Sequence, residues 1–126
     1  MEVGYLRVKT IMARGAVPIG GAEVIVKDDF GNTLHRAYTN NAGETESLML
    51  YAPDKNLSLC EGFLGVPYAT YRVEVRAEGF VTEIRNGVQI FDTMEALEEI
   101  YMTPNFLGLD LIHEIDIPPH KLVWRH

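Results

Sequence analysis

The chain has 126 residues, 47% hydrophobic and 23% charged, which suits one globular domain able to bury roughly two thirds of its unfolded surface. Its 18 acidic residues outweigh 11 basic ones and leave a net charge of −7, arguing against nucleic acid or an anionic membrane as partner. The single cysteine, Cys60, excludes an intrachain disulfide, and no apolar run approaches the ~20 residues that span a bilayer, so membrane insertion is not expected.

Met1-Glu-Val-Gly-Tyr-Leu6 has neither a basic segment nor an apolar core, so no secretory signal is expected. The chain reads as made in the cytoplasm, or moved to a surface by a signal-free route. Leu6, Val8, Thr10 and Met12 alternate with Arg7, Lys9 and Ile11, predicting a strand from about Tyr5 to Ala13. The Gly- and Pro-bearing run 14–21 cannot hold a ladder. Ala22, Val24 and Val26 form the inward face of a second strand, and Asp28-Asp-Phe-Gly-Asn32 is a hairpin turn into a third strand, about Thr33 to Thr39. Asn40-Asn-Ala-Gly43 turns into a fourth, Glu44 to Tyr51.

Residues 52–67 form one long irregular connection, which packs as a crossover between sheets or serves recognition. Leu59, Phe63 and Tyr68 are its candidate ligand contacts. Then comes the clearest element of the chain. Tyr71, Val73, Val75 and Ala77 alternate with Arg72, Glu74 and Arg76, a period that no helix satisfies and a half-buried strand does. Val81 to Arg85, Gly87 to Phe91 and Ala96 to Met102 are read as further strands, the last closing on Gly87–Phe91 as a hairpin; a short helix from Thr93 is the competing reading. Short strands punctuated by turns predict an all-β, seven- to eight-stranded antiparallel two-sheet sandwich over residues 1–104.

Four motifs in order, Gly4-Tyr-Leu-Arg-Val-Lys9, Pro18-Ile-Gly-Gly-Ala-Glu-Val24, Thr39-Asn-Asn-Ala-Gly43 and Tyr71-Arg-Val-Glu-Val-Arg-Ala-Glu-Gly-Phe80, resemble the carboxypeptidase regulatory-like, transthyretin-type β-sandwich. Domains near spore cortex-lytic or spore-surface proteins are particularly similar. The resemblance implies a mostly non-catalytic module that stabilises enzymes, decorates surface proteins or serves as a stalk. One enzymatic relative hydrolyses hydroxyisourate with a Tyr-Arg-Gly-Ser terminus; this chain has Leu122-Val-Trp-Arg-His126 there, so that activity is not carried over.

No catalytic constellation is legible. Cys60 has no histidine near it in sequence and reads as a small hydrophobe, although His35 could approach it in space. His35, His113, His120 and His126 lack metal-ligand spacing, and adjacent His113 and Glu114 point to opposite faces of a strand. Asp28-Asp29 lacks the ligand set of a calcium loop. The expectation is therefore a non-enzyme with no cofactor and no metal.

Residues 105–126 are surplus to the sandwich. Leu109 to Ile117 alternates largely as a strand, and Pro118-Pro119 stops it and redirects the chain. Phe106, Leu109, Leu111, Ile115, Ile117 and Trp124 are the candidate interface residues. An apolar strand at this position adds to its own sheet edge or reaches a neighbouring copy. The leading expectation is a structural building block that forms a homo-oligomer or polymer through this segment, in a filament, spore layer or particle. The alternative is an accessory module that binds a glycan or cell wall beside a polysaccharide or peptidoglycan hydrolase, its exposed tyrosines stacking on sugar rings.

Overall fold

A computed structural model describes residues 2–54 and 67–118. Leu59, Phe63, Cys60 and Trp124 lie outside them. The described residues form eight strands and no helix: β1 (Val3–Met12), β2 (Glu23–Lys27), β3 (Thr33–Tyr38), β4 (Leu48–Tyr51), β5 (Tyr68–Arg76), β6 (Thr82–Phe91), β7 (Glu95–Met102) and β8 (Ile112–Asp116). They build a sandwich of a three-stranded sheet, β4-β1-β7, and a five-stranded sheet, β3-β2-β5-β6-β8.

The core follows from the alternation. Leu6 and Val8 of β1, Val24 and Val26 of β2, Val73 and Val75 of β5 and Ile100 and Met102 of β7 are buried between the sheets. Each such side chain contributes roughly 1.5–3 kcal/mol relative to exposure, so the interior of this pattern dominates stability. The Asp28–Asn32 turn also behaves as its sequence dictates. The Asp28 carboxylate accepts from the backbone N–H groups of Phe30 and Asn32, both at 2.9 Å, an Asx turn that closes the β2–β3 hairpin around Gly31.

Four expectations are corrected. The sheets are mixed rather than antiparallel throughout, because β1 runs parallel to β7 and β6 runs parallel to β8. The residues 95–102 do not close on Gly87–Phe91 as a hairpin: the tight turn at Asp92–Met94 carries the chain across to the other sheet, where Tyr5–Met12 of β1 pairs with Glu95–Met102. In that placement Ile100 and Met102 are buried against the core. The segments 81–85 and 87–91 are one strand, β6, interrupted by a bulge at which Asn86 and Gly87 together oppose Arg72. Gly87 takes φ 81, the left-handed conformation such a bulge requires. β4 is also shorter than expected. Residues 44–47 touch β1 through an isolated bridge between Lys9 and Glu44 before the regular ladder begins at Leu48.

Candidate interaction site

The surplus segment has a place in the fold. β8 lies at the edge of the five-stranded sheet, with Thr82–Asn86 of β6 paired to Ile112–Asp116. This ladder is shorter than the Leu109–Ile117 strand that alternation suggests, since Gly108 with φ 68 and the Asn105-centred turn keep 105–111 irregular. Strand donation to a neighbour is thus not needed to satisfy β8. Its side chains are another matter. Every residue of β8 is exposed, and the approach to it carries Phe106 at 93%, Leu107 at 72% and Leu109 at 59% relative exposure. Leu111, Ile112 and Ile115 are also exposed, whereas Ile117 packs partly against the core. A run of large apolar side chains on a sheet edge, unshielded by its own molecule, has the composition of a contact surface.

Beside it is a charged cluster that alternation alone does not reveal. The bulge at Asn86–Gly87 shifts the phase of β6, so that Glu83 and Arg85 face the interior before it and Val88 and Ile90 after it. Glu83 is 1% exposed and accepts from Arg85 Nη1 at 2.8 Å. From β8, His113 reaches the same carboxylate, Nδ1 to Oε1 at 2.9 Å. An ionised carboxylate only accepts, so Nδ1 is the donor in this contact. Glu98 of β7 shares the inward face with Ile100 and Met102, and burial pushes its carboxyl pKa up, with the charge of Arg85 opposing that shift. Of these groups, Glu83 is the one that reaches the edge strand, through its hydrogen bond with His113.

The outer face of the five-stranded sheet holds a second network. Glu74, 3% exposed, lies between Ile25 and Ile84 in register. Burial acts to raise its pKa, but the hydrogen bond and charge of Lys27, then Arg72, outweigh this and hold the carboxyl below its ordinary range. Lys27 Nζ lies 3.1 Å and Arg72 Nε 2.9 Å from one oxygen. The network runs on to the edge strand: Asn86 donates to Glu114 at 2.6 Å and to Asp116 at 2.9 Å. β8 is therefore tied down on both faces by polar groups while Ile112 and Ile115 stay exposed.

Of the remaining expected contacts, Tyr68 does not present a free ring: it is half-buried, with its ring centroid 5.4 Å from that of Phe91. His35 uses Nε2 to donate to the Met49 carbonyl at 2.7 Å, joining the edges of the two sheets. Among the described residues, no three His, Cys, Asp or Glu side chains gather as a metal-binding group. At the opposite edge from β8, β3 and residues 44–46 border an open cleft of about 630 Å³, lined by Arg7, Arg36, Tyr38, Asn40, Glu44 and Glu46.

No protein-family model and no curated protein matches the chain. Solved structures do. The minor pilin GBS52 of Streptococcus agalactiae aligns at 12% identity and TM-score 0.55, covering 98% of this chain and 49% of the pilin. A candidate carbohydrate binding protein from Bacteroides uniformis aligns at 13% identity and TM-score 0.51, over 79% of this chain and 41% of that one. The 3-chlorocatechol 1,2-dioxygenase of Rhodococcus opacus aligns at 11% and 0.52, over 82% and 61%. The chain spans less than two thirds of the length of each. A pilin, a binding protein and an enzyme on one scaffold show that the fold does not choose the function. At these identities the likeness is one of fold, a β-sandwich domain.

Proposed function

We propose that this chain is a non-enzymatic structural module, of the carboxypeptidase regulatory-like type, that self-associates through the exposed side of its C-terminal segment. One observation carries the reading: Phe106, Leu107, Leu109 and Ile112 stand outside the molecule by more than half of their surfaces, at the start of and just before a strand held in place by polar contacts. Such a patch on an isolated copy favours burial against another, because apolar area removed from water contributes about 25 cal/mol per Å². The pilin neighbour supports a structural role for the fold, and the family resemblance supports a surface assembly such as a filament, spore layer or particle. Docking of a finished edge replaces strand exchange as the mode of contact. Light scattering on the full chain tests this: wild type sediments or elutes as an oligomer, and Phe106→Ser with Leu109→Ser shifts it to monomer without loss of β-sheet. A monomeric wild type across the accessible concentration range defeats the reading.

The cleft favours a second reading, an accessory module for a glycan. Its guanidinium, amide, phenol and carboxylate groups supply the donors and acceptors that sugar hydroxyls need, and Tyr38 adds an exposed ring (60%). Saturable binding to cell-wall polysaccharide that Tyr38→Ala abolishes supports it; binding indifferent to Tyr38 and Arg36 replacement removes it.

A further inference from the structure

Both ends of the five-stranded sheet are open strands: among the described residues β3 pairs with β2 alone and β8 with β6 alone. The ladders fix which backbone groups are left over. Thr39 N–H donates to the Ala22 carbonyl at 3.0 Å, so by antiparallel alternation Ala37 and His35 also serve β2, and Leu34, Arg36 and Tyr38 turn their N–H and C=O groups away from it. At the other end Thr82 N–H donates to the Leu111 carbonyl at 2.9 Å and Ile117 N–H to the Asn86 carbonyl at 2.8 Å. The odd-numbered residues therefore serve β6, and Ile112, Glu114 and Asp116 present their backbone groups outward. Leu34, Arg36, Tyr38, Ile112, Glu114 and Asp116 are all exposed. Edges of this kind are templates for another strand.

The side chains say which strand. Arg36, Ile25, Glu74, Ile84 and Glu114 lie in register as one row across the outer face, so the row starts with a cation and ends with an anion. Arg36 keeps 57% and Glu114 47% of its side chain exposed. Like ends repel: two β8 edges centred on each other set Glu114 against Glu114, and two β3 edges set Arg36 against Arg36. The smaller sheet offers β8 no better partner. β7 presents Glu95 and Glu99, and on β4 the Met49 carbonyl is already held by His35.

Resting on the self-association proposed above, we infer that the surface receiving β8 is β3 of a second copy, so that the larger sheet continues from one molecule into the next. A copy in the same orientation brings its β3 antiparallel to β8, because β3 runs against β2, β2 against β5 and β5 against β6, while β8 runs along β6. The register that joins the free backbone groups sets Glu114 opposite Arg36 of the neighbour, flanked by Ile112 opposite Tyr38 and Asp116 opposite Leu34. An ion pair thus sits at the centre of the contact. Each added copy leaves one β3 and one β8 edge open, so the contact is heterologous and propagates as a filament instead of closing as a dimer.

Charge reversal reads the pairing. Arg36→Glu alone and Glu114→Arg alone are each expected to raise the apparent dissociation constant, measured by light scattering, by ~10-fold or more. An equimolar mixture of the two variants regains assembly, as does a chain carrying both substitutions, because every β8–β3 contact then joins opposite charges. Amide hydrogen exchange of the wild-type chain needs no variant: as concentration rises through association, residues 33–38 and 112–116 gain protection together. Three results overturn the pairing while leaving self-association standing: assembly indifferent to both reversals, a mixture as weak as its components when circular dichroism shows both folded, or protection confined to 112–116. A wild type that stays monomeric removes self-association itself and the pairing with it. Protection of 33–38 that follows added cell-wall polysaccharide instead of protein concentration gives that edge to a glycan and overturns the pairing. Should either variant not fold, exchange in the wild type decides alone.

Discussion

Replacing Arg85 by methionine isolates the electrostatic support of the buried Glu83 carboxylate. The substitution keeps most of the side-chain volume but strips Glu83, 1% exposed, of its 2.8 Å partner. An uncompensated carboxylate in that position costs about 3–5 kcal/mol, and the remaining hydrogen bond from His113 at the rim places the expectation near ~3 kcal/mol. Against a total stability of roughly 5–15 kcal/mol this is a large fraction, and it lowers the melting temperature by roughly 10–15 °C for a domain of this size. The control is the double replacement Glu83→Leu with Arg85→Met. Because both charges leave together, no desolvated group is stranded, and the double variant should lie within ~1 kcal/mol of wild type or above it. Urea unfolding followed by circular dichroism measures both. A single variant that loses less than ~1 kcal/mol, or a double variant as unstable as the single, refutes the account of Glu83 as a buried charge dependent on Arg85.

The two shifted carboxyls make opposite predictions for pH. Glu98 has its folded-state pKa raised by burial, so its contribution is greatest at low pH and falls away as pH rises from the unfolded value through the folded one. Glu98→Gln should therefore match wild type in acid and exceed it at neutral pH. Glu74 has its pKa lowered, so its contribution is present above the unfolded value and is lost as pH falls through the folded one; Glu74→Gln should cost stability at neutral pH and little in acid. Urea midpoints between about pH 3 and 8 separate the two, and parallel profiles for both variants would contradict these assignments. Gly43→Ala should destabilise by at least ~2 kcal/mol, because φ 78 disfavours any Cβ and the added atom would meet the Thr10 carbonyl oxygen at 2.5 Å. A melting temperature unchanged by that substitution would contradict the packing of the Asn40–Gly43 turn on β1.

The alternation of Tyr71–Arg76 and of Leu6–Thr10, with the Asp28–Asn32 and Asn40–Gly43 turns, was enough to specify strands, faces and a sandwich, because a period of two and a turn residue are local properties. Pairing is not local. Residues 95–102 carry the same inward pattern whether they meet β6 or β1, and only the crossing at Asp92–Met94 decided for β1. The Glu83–Arg85–His113 cluster escaped the reading for a related reason. A bulge at Gly87 reverses which residues of β6 face inward, and a bulge is visible only against its partner strand. The sequence also singled out Phe106, Leu109, Leu111 and Ile115 as apolar beyond what the sandwich needs, while tertiary structure decided that β8 lies on its own sheet and that these side chains stay exposed. Hydrophobic content belongs to the residue; exposure is set by whatever the rest of the chain places over it.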